Sequence, residues 1–145
     1  MRHFLDKKTL MLLYFAYIDS ALIYCSPIWG AGPQKYLDKI QVLQNRAKKY
    51  IENKKHLTPT VELYSEDFLS FNQKCVYEAI FFMFKIKNKL IKTTYSITDN
   101  FEISNTNTRN KNKIRLPRYS MALAQKSIFY RGAKLLTKFL QPYPK

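Results

Sequence analysis

The sequence predicts a mainly α-helical chain: a small helical domain of three to four helices, a polar linker and a short C-terminal helical tail. Three stretches carry that expectation. Gln34 to about Asn53 places Tyr36, Ile40, Leu43, Ala47, Tyr50 and Ile51 on one side of a helix at about 100° per residue. Ser70 followed three residues later by Gln73 reads as a capping box opening a long helix, Phe71 to about Lys89. Leu10 to Cys25 is apolar on most faces, with Asp19 and Ser20 as its clearly polar members. The implied division is a helical domain over 1–91, a basic polar linker over 92–118 and a tail element over 119–145.

Taken in order, Met1 to Lys8 is a short basic leader. The apolar helix after it, extended to Ala31, has the length of a transmembrane or signal-anchor segment with cations on the correct flank. Asp19 near its centre costs about 2.5–3.5 kcal/mol on insertion scales, and Pro27 interrupts its far end. The favoured reading is therefore a buried helix packed on more than one side, with membrane insertion the weakest alternative. Pro27-Ile28-Trp29-Gly30-Ala31-Gly32-Pro33 holds the only Trp and two of the three glycines, and its prolines forbid a continuous helix. The helix that follows is the best patterned of the chain. Its Lys35, Lys39, Arg46 and Lys49 gather beside the apolar stripe, with Asp38, Asn45 and Glu52 on the remainder.

Glu52 to Leu57 is a polar exit, and Thr58-Pro59 starts a short helix through Val61, Leu63 and Tyr64. In the next long helix Phe71, Cys75, Ala79, Phe82, Met83, Ile86 and Leu90 line one face, while Tyr77, Ile80, Phe81, Phe84 and Ile91 nearly close the apolar arc. Such a helix is expected to be buried all round. So small a chain has few elements to bury it with, and an upstream domain or a second copy against Phe71–Leu90 would supply the missing surface. Lys92 to Lys113 is rich in Thr, Ser, Asn and Lys and reads as a long loop or linker. Lys126 to Tyr130 fits a short strand or a helix start equally well, and Ala133 to Leu140 reads as helix.

A chain of 145 residues, 46% hydrophobic, can bury one modest core. Its 25 Lys+Arg against 10 Asp+Glu give +15, which favours a polyanionic partner, nucleic acid before anionic membrane. Abundant Lys, Asn, Ile, Tyr and Phe beside three glycines match an AT-rich coding sequence, which accounts for part of the lysine excess. Cys25 and Cys75 lie in apolar helical surroundings and read as buried thiols of a reducing compartment. With His3 and His56 isolated, neither a disulfide framework nor a zinc site is legible. No metal or cofactor is expected. Tyr64-Ser65-Glu66-Asp67 imitates a polymerase Tyr-x-Asp-Asp, but it sits between a Pro-started helix and a capping box, without flanking strands, and reads as an acidic helix-start loop.

What remains is the basic surface. Lys35, Lys39, Arg46 and Lys49 span about 20 Å of helix, which suits tracking a phosphate backbone without reading sequence. A solvated helix face is the competing structural reading. Arg109 through Arg118 fit a phosphate-binding arm or, equally, a solubilising linker. Tyr and Phe side chains can stack on bases, though at helical spacing most belong to a core.

Tyr24-Cys25-Ser26-Pro27-Ile28-Trp29-Gly30 and then Leu37-Asp38-Lys39-Ile40-Gln41-Val42-Leu43-Gln44-Asn45-Arg46-Ala47 resemble the region after the palm in reverse transcriptases of LINE-type, jockey-like non-LTR retrotransposons. The likeness continues in order through Leu63-Tyr64, Phe82-Met83-Phe84-Lys85, Asn107-Thr108-Arg109 with Leu116-Pro117-Arg118, and Ser127-Ile128-Phe129-Tyr130-Arg131-Gly132-Ala133-Lys134-Leu135. Where the family continues Trp-Asn-x-Leu-Pro, this chain has Leu136-Thr137 and then Leu140-Gln141-Pro142. The resemblance implies a helical, thumb-like segment that contacts RNA or an RNA–DNA template–primer duplex through Lys35, Lys39, Arg46 and Lys49, with Arg109, Arg115, Arg118 and Arg131 as a second tier. It also implies an intracellular protein, nuclear or cytoplasmic, that is not an enzyme on its own because the chemistry belongs to the palm. Three other readings stay open: a helical interaction or oligomerisation module, a small signal-anchored membrane protein, and a decayed element fragment without activity.

Overall fold

A computed structural model describes residues 4–63, 68–95, 97–100 and 114–140. The protein is mainly helical. Among the described residues there is no strand, only an isolated antiparallel bridge between Asp99 and Ile114. The chain divides into two compact units, Met1–Cys75 and Val76–Lys145, with the boundary inside a helix.

In the first unit, α1 (Lys7–Leu13) starts on Asp6, whose Oδ1 accepts from the Thr9 N–H at 3.0 Å. The Thr9 side-chain hydroxyl, and after it this backbone bond, hold the Asp6 carboxyl below its ordinary pKa. The helical path then widens into a π-helical turn, Tyr14–Asp19, before α2 (Ser20–Ile23). A π turn registers residues five apart, and here it sets the Tyr14 hydroxyl against Asp19 Oδ1 at 3.3 Å. These two are the buried residues of the whole run, whereas Leu12, Tyr17 and Tyr24 are exposed. The expected burial on more than one side is thus corrected: the acid goes in, and much of the apolar surface stays out.

Cys25 breaks the path with a left-handed backbone, φ 53°, and is exposed, contrary to its reading as a buried thiol; Cys75 is buried. Among the described residues no helix is long and apolar enough to cross a membrane. Pro27 sits at the start of α3 (Ser26–Trp29), where its missing N–H costs nothing. Trp29 anchors the turn as its size suggests. Its ring stacks on Phe71, 5.2 Å between centroids at 18°, and its Nε1 donates to Tyr24 O at 2.7 Å. Gly30 has to be small, since a Cβ would lie 2.5 Å from Ser26 O and 2.8 Å from Cys75 Sγ.

α4 (Gln34–Ile51) runs without Gly or Pro through good helix formers. Its buried residues are Leu37, Gln44, Lys48 and Ile51, while Tyr36, Leu43 and Tyr50 are exposed. The expected core stripe is therefore rotated, keeping Ile51 fully and Ile40 and Ala47 in part. A short 3-10 turn, Thr60–Leu63, buries Leu63. Ser70 and Gln73 form the expected capping box of α5 (Phe71–Lys87): Ser70 N–H donates to Gln73 Oε1 at 2.8 Å, and Gln73 N–H to Ser70 Oγ at 3.4 Å. The core of this unit has two clusters, Tyr14 with Ile51 and Phe68, and Leu37 with Phe71 and Cys75.

The second unit takes the remainder of α5, then α6 (Ala122–Gln125) and α7 (Ile128–Leu140). Residues 128–130 resolve as helix, deciding between the two readings of that stretch. Met83, Ile86, Ile114, Ala133 and Leu136 form its core. Tyr95 and Ile97, which the composition assigns to a polar linker, pack against it. Tyr77, Phe81 and Phe84 remain exposed, so the expectation of burial all round fails for α5 as well.

Gly132 brings α7 close to α5: a Cβ there would lie 2.5 Å from Met83 Cγ and 3.3 Å from Ala79 O. Gly132→Val should overpack this crossing and cost about 1–3 kcal/mol. A chemical-denaturation midpoint equal to wild type would show that the helices do not cross there in solution.

Candidate nucleic-acid interface

The predicted basic residues of α4 do not stand alike. Lys35, Lys39 and Arg46 are exposed. Lys49 is half-buried and its Nζ donates to His56 O at 2.6 Å, which ties down the polar exit and takes it out of the outward group. Tyr36 and Leu43 lie exposed beside the three cations, with Lys39 Nζ 5.8 Å from the Tyr36 ring centroid. Asp38, the acid on this exposed side, accepts from Gln34 Nε2 at 2.7 Å.

The side of α4 turned inward explains this arrangement. The Phe71 N–H at the buried start of α5 donates to Gln41 Oε1 at 2.9 Å and Gln44 Oε1 at 2.8 Å. Gln44 Nε2 in turn donates to Leu69 O at 3.1 Å and to the Tyr14 hydroxyl at 3.2 Å. The Tyr14 hydroxyl donates to Asp19, and Asp19 is paired with the Lys74 ammonium. Lys74 also lies 5.3 Å from the Phe68 ring centroid, 5.6 Å from that of Phe15 and 5.7 Å from that of Tyr14. Lys48, one turn after Gln44, pairs with Glu52 at 3.0 Å and sits 3.9 Å from the Phe68 ring centroid. Two lysines are thus consumed internally, and nothing in a periodicity argument marks them.

Charge is unevenly divided. Up to Cys75 there are eleven Lys/Arg against seven Asp/Glu; from Val76 on there are fourteen against three. From Ile103 to Lys145 the chain holds ten Lys/Arg and no acid. Of the second-tier arginines, Arg109 lies outside the described residues, as do Tyr64-Ser65-Glu66-Asp67. Arg115 and Arg118 are exposed; Arg131 is half-buried, with Nη1 fully buried and without a hydrogen-bond partner. Arg115 is held by its N–H to Thr98 O at 3.0 Å.

Beside Arg118 lies an open groove of about 540 Å³, lined by Leu116, Pro117, Arg118, Tyr119, Ser120 and Tyr130. The Tyr119 and Tyr130 rings are 6.0 Å apart at 55°. Nearby, burial pushes the Tyr95 phenol above its ordinary pKa, with the charge of Tyr119 adding to the effect. Sequence reasoning passed over these tyrosines, although each adjoins an arginine, in Arg118-Tyr119 and Tyr130-Arg131.

No protein-family model, curated protein or solved structure matches the chain. Among the described residues, no group of three or more His, Cys, Asp or Glu side chains is placed to hold a metal ion. The described residues present exposed cations on one helix of the first unit, and an arginine–tyrosine groove in the second.

The internal network makes its own demand. Asp19→Ala leaves the buried Lys74 ammonium unpaired and should cost about 3–5 kcal/mol, most of it recovered in the Asp19→Leu, Lys74→Met double variant. A destabilisation below about 1 kcal/mol, the range of exposed pairs, would show that the pair is solvated.

Proposed function

We propose that the chain is a nucleic-acid-binding helical segment, corresponding to the region after the palm of a non-LTR retrotransposon reverse transcriptase. It holds the backbone of RNA or of an RNA–DNA duplex without reading sequence. The observation that carries this reading is the outward face of α4, where Lys35, Lys39 and Arg46 stand exposed on one rigid helix of 18 residues. From Lys35 to Arg46 the helix rises about 16 Å. One phosphate per about 3.4 Å of axis on each duplex strand gives such a span enough phosphates for all three cations. The excess charge from Val76 onward supports the same class of partner, since it supplies sequence-independent attraction.

A second reading rests on a different surface. Tyr77 and Phe81 on α5 stack on each other, 6.0 Å between centroids at 13°, with Lys85 Nζ 4.1 Å from the Phe81 ring centroid. Tyr77 and Phe84 are among the exposed aromatics. A protein-docking role, toward a polymerase domain or a second copy, would use that face.

Changing Lys35, Lys39 and Arg46 to Gln should flatten the log–log salt dependence of hybrid-duplex binding by about 2.7 units, close to 0.9 for each phosphate that is no longer neutralised. An unchanged slope would remove α4 from the account, and self-association in sedimentation experiments, abolished in Tyr77→Ser, would then carry the second reading.

A further inference from the structure

We propose that the groove lined by Leu116, Pro117, Arg118, Tyr119, Ser120 and Tyr130 binds a single unpaired nucleotide, its base against a tyrosine ring and its phosphate on Arg118. The site lies wholly in the second unit, whereas α4 belongs to the first. At about 540 Å³ the groove falls inside the range of about 300–1,000 Å³ typical of small-ligand sites.

Three features select the ligand. The first is charge: Arg118 takes part in none of the ion pairs among the described residues, and the sequence around it, Ile103 to Lys145, contains no acid. The exposed guanidinium can take a phosphate in a planar, bidentate way. The second is the pair of rings. Sandwiching a base between them would require about 7 Å, two contacts of about 3.5 Å each; at 6.0 Å and 55° they are too close and too tilted. A base instead lies on the face of one ring with the edge of the other beside it, an arrangement aromatic groups favour.

The third feature is preorganisation. Gln125 Nε2 donates to Tyr119 O at 2.9 Å, and Tyr130 is fixed in the first turn of α7 by Ser127, whose Oγ accepts from the Tyr130 N–H at 3.4 Å. Leu116 is packed on the core of the unit, so the floor of the groove is anchored. An acidic peptide would satisfy Arg118 but would leave the rings unused, whereas a nucleotide uses both.

Fluorescence anisotropy at fixed salt on the full chain provides the test, comparing oligo(U) with an abasic ribose–phosphate strand of equal length and charge. Wild type should bind oligo(U) about five- to a hundredfold more tightly than the abasic strand, the scale of one stacked base. Tyr119→Leu and Tyr130→Leu should each reduce that ratio, and the exposed Arg118→Gln, which threatens no packing, should weaken oligo(U). The Lys35, Lys39, Arg46→Gln variant should leave the ratio unchanged while weakening both strands, which separates this site from α4. Competition by free UMP as effective as oligo(U) per nucleotide would identify a free nucleotide as the ligand; competition by oligo(U) alone would identify a strand. Equal binding of base-bearing and abasic strands, an unaltered ratio in Tyr119→Leu, or equal competition by polyglutamate would overturn the proposal.

Discussion

Phe71 opens α5 with its side chain buried, and its N–H has to find an acceptor inside. A helix N–H that is buried before the first intrahelical acceptor is an orphan donor that water cannot reach. Gln41 and Gln44 supply the acceptors, so α4 must turn those two glutamines inward. Once that rotation is set, much else follows from helix geometry. Lys48, one turn beyond Gln44, enters the interior and needs Glu52 and the Phe68 ring. Leu37 and Ile51 enter as apolar members of the same face, while Tyr36 and Leu43 swing out. Lys35, Lys39 and Arg46 face solvent as a group because the polar side of α4 is occupied with capping another helix.

The elements themselves were legible. The capping box at Ser70 and Gln73, the Trp29 anchor in its Pro- and Gly-rich turn, and the long amphipathic α4 all declare local physics that tertiary structure leaves intact. The rotation of α4 was not legible, because hydrophobic periodicity sends Leu43 in and Gln44 out, and only the buried α5 terminus reverses that preference. Asp19 shows the same limit. Alone in an apolar helix it reads as a cost, but Lys74, 55 residues away, converts it into half of a buried ion pair. The π-helical turn that aligns it with Tyr14 leaves no periodicity signal of its own.

The candidate site was legible in part. Three of the four α4 cations are exposed, and Lys49 is diverted to the His56 carbonyl, seven residues on, which its sequence position does not reveal. The Arg118–Tyr119–Tyr130 groove escaped because its rings are eleven residues apart and meet only when α7 folds back over the preceding segment. Charge partition adds a functional layer to this. Excess cations crowd the sequence after Val76, while the first unit spends two of its lysines on its own interior. On the proposed function, long-range attraction and short-range positioning would come from different stretches of one chain, the former screened within about 8 Å at physiological salt.

The claim on which these relations rest is the rotation of α4, and lysine acetylation of the native protein, read residue by residue by mass spectrometry, tests it most directly. Lys35 and Lys39 should react at the rate of free lysine, while Lys48 and Lys74 should react far more slowly and catch up only in denaturant. Lys48 reacting as fast as Lys39 in the native protein would contradict the account, because the helix face that places the three cations in solvent would then not be the outer one.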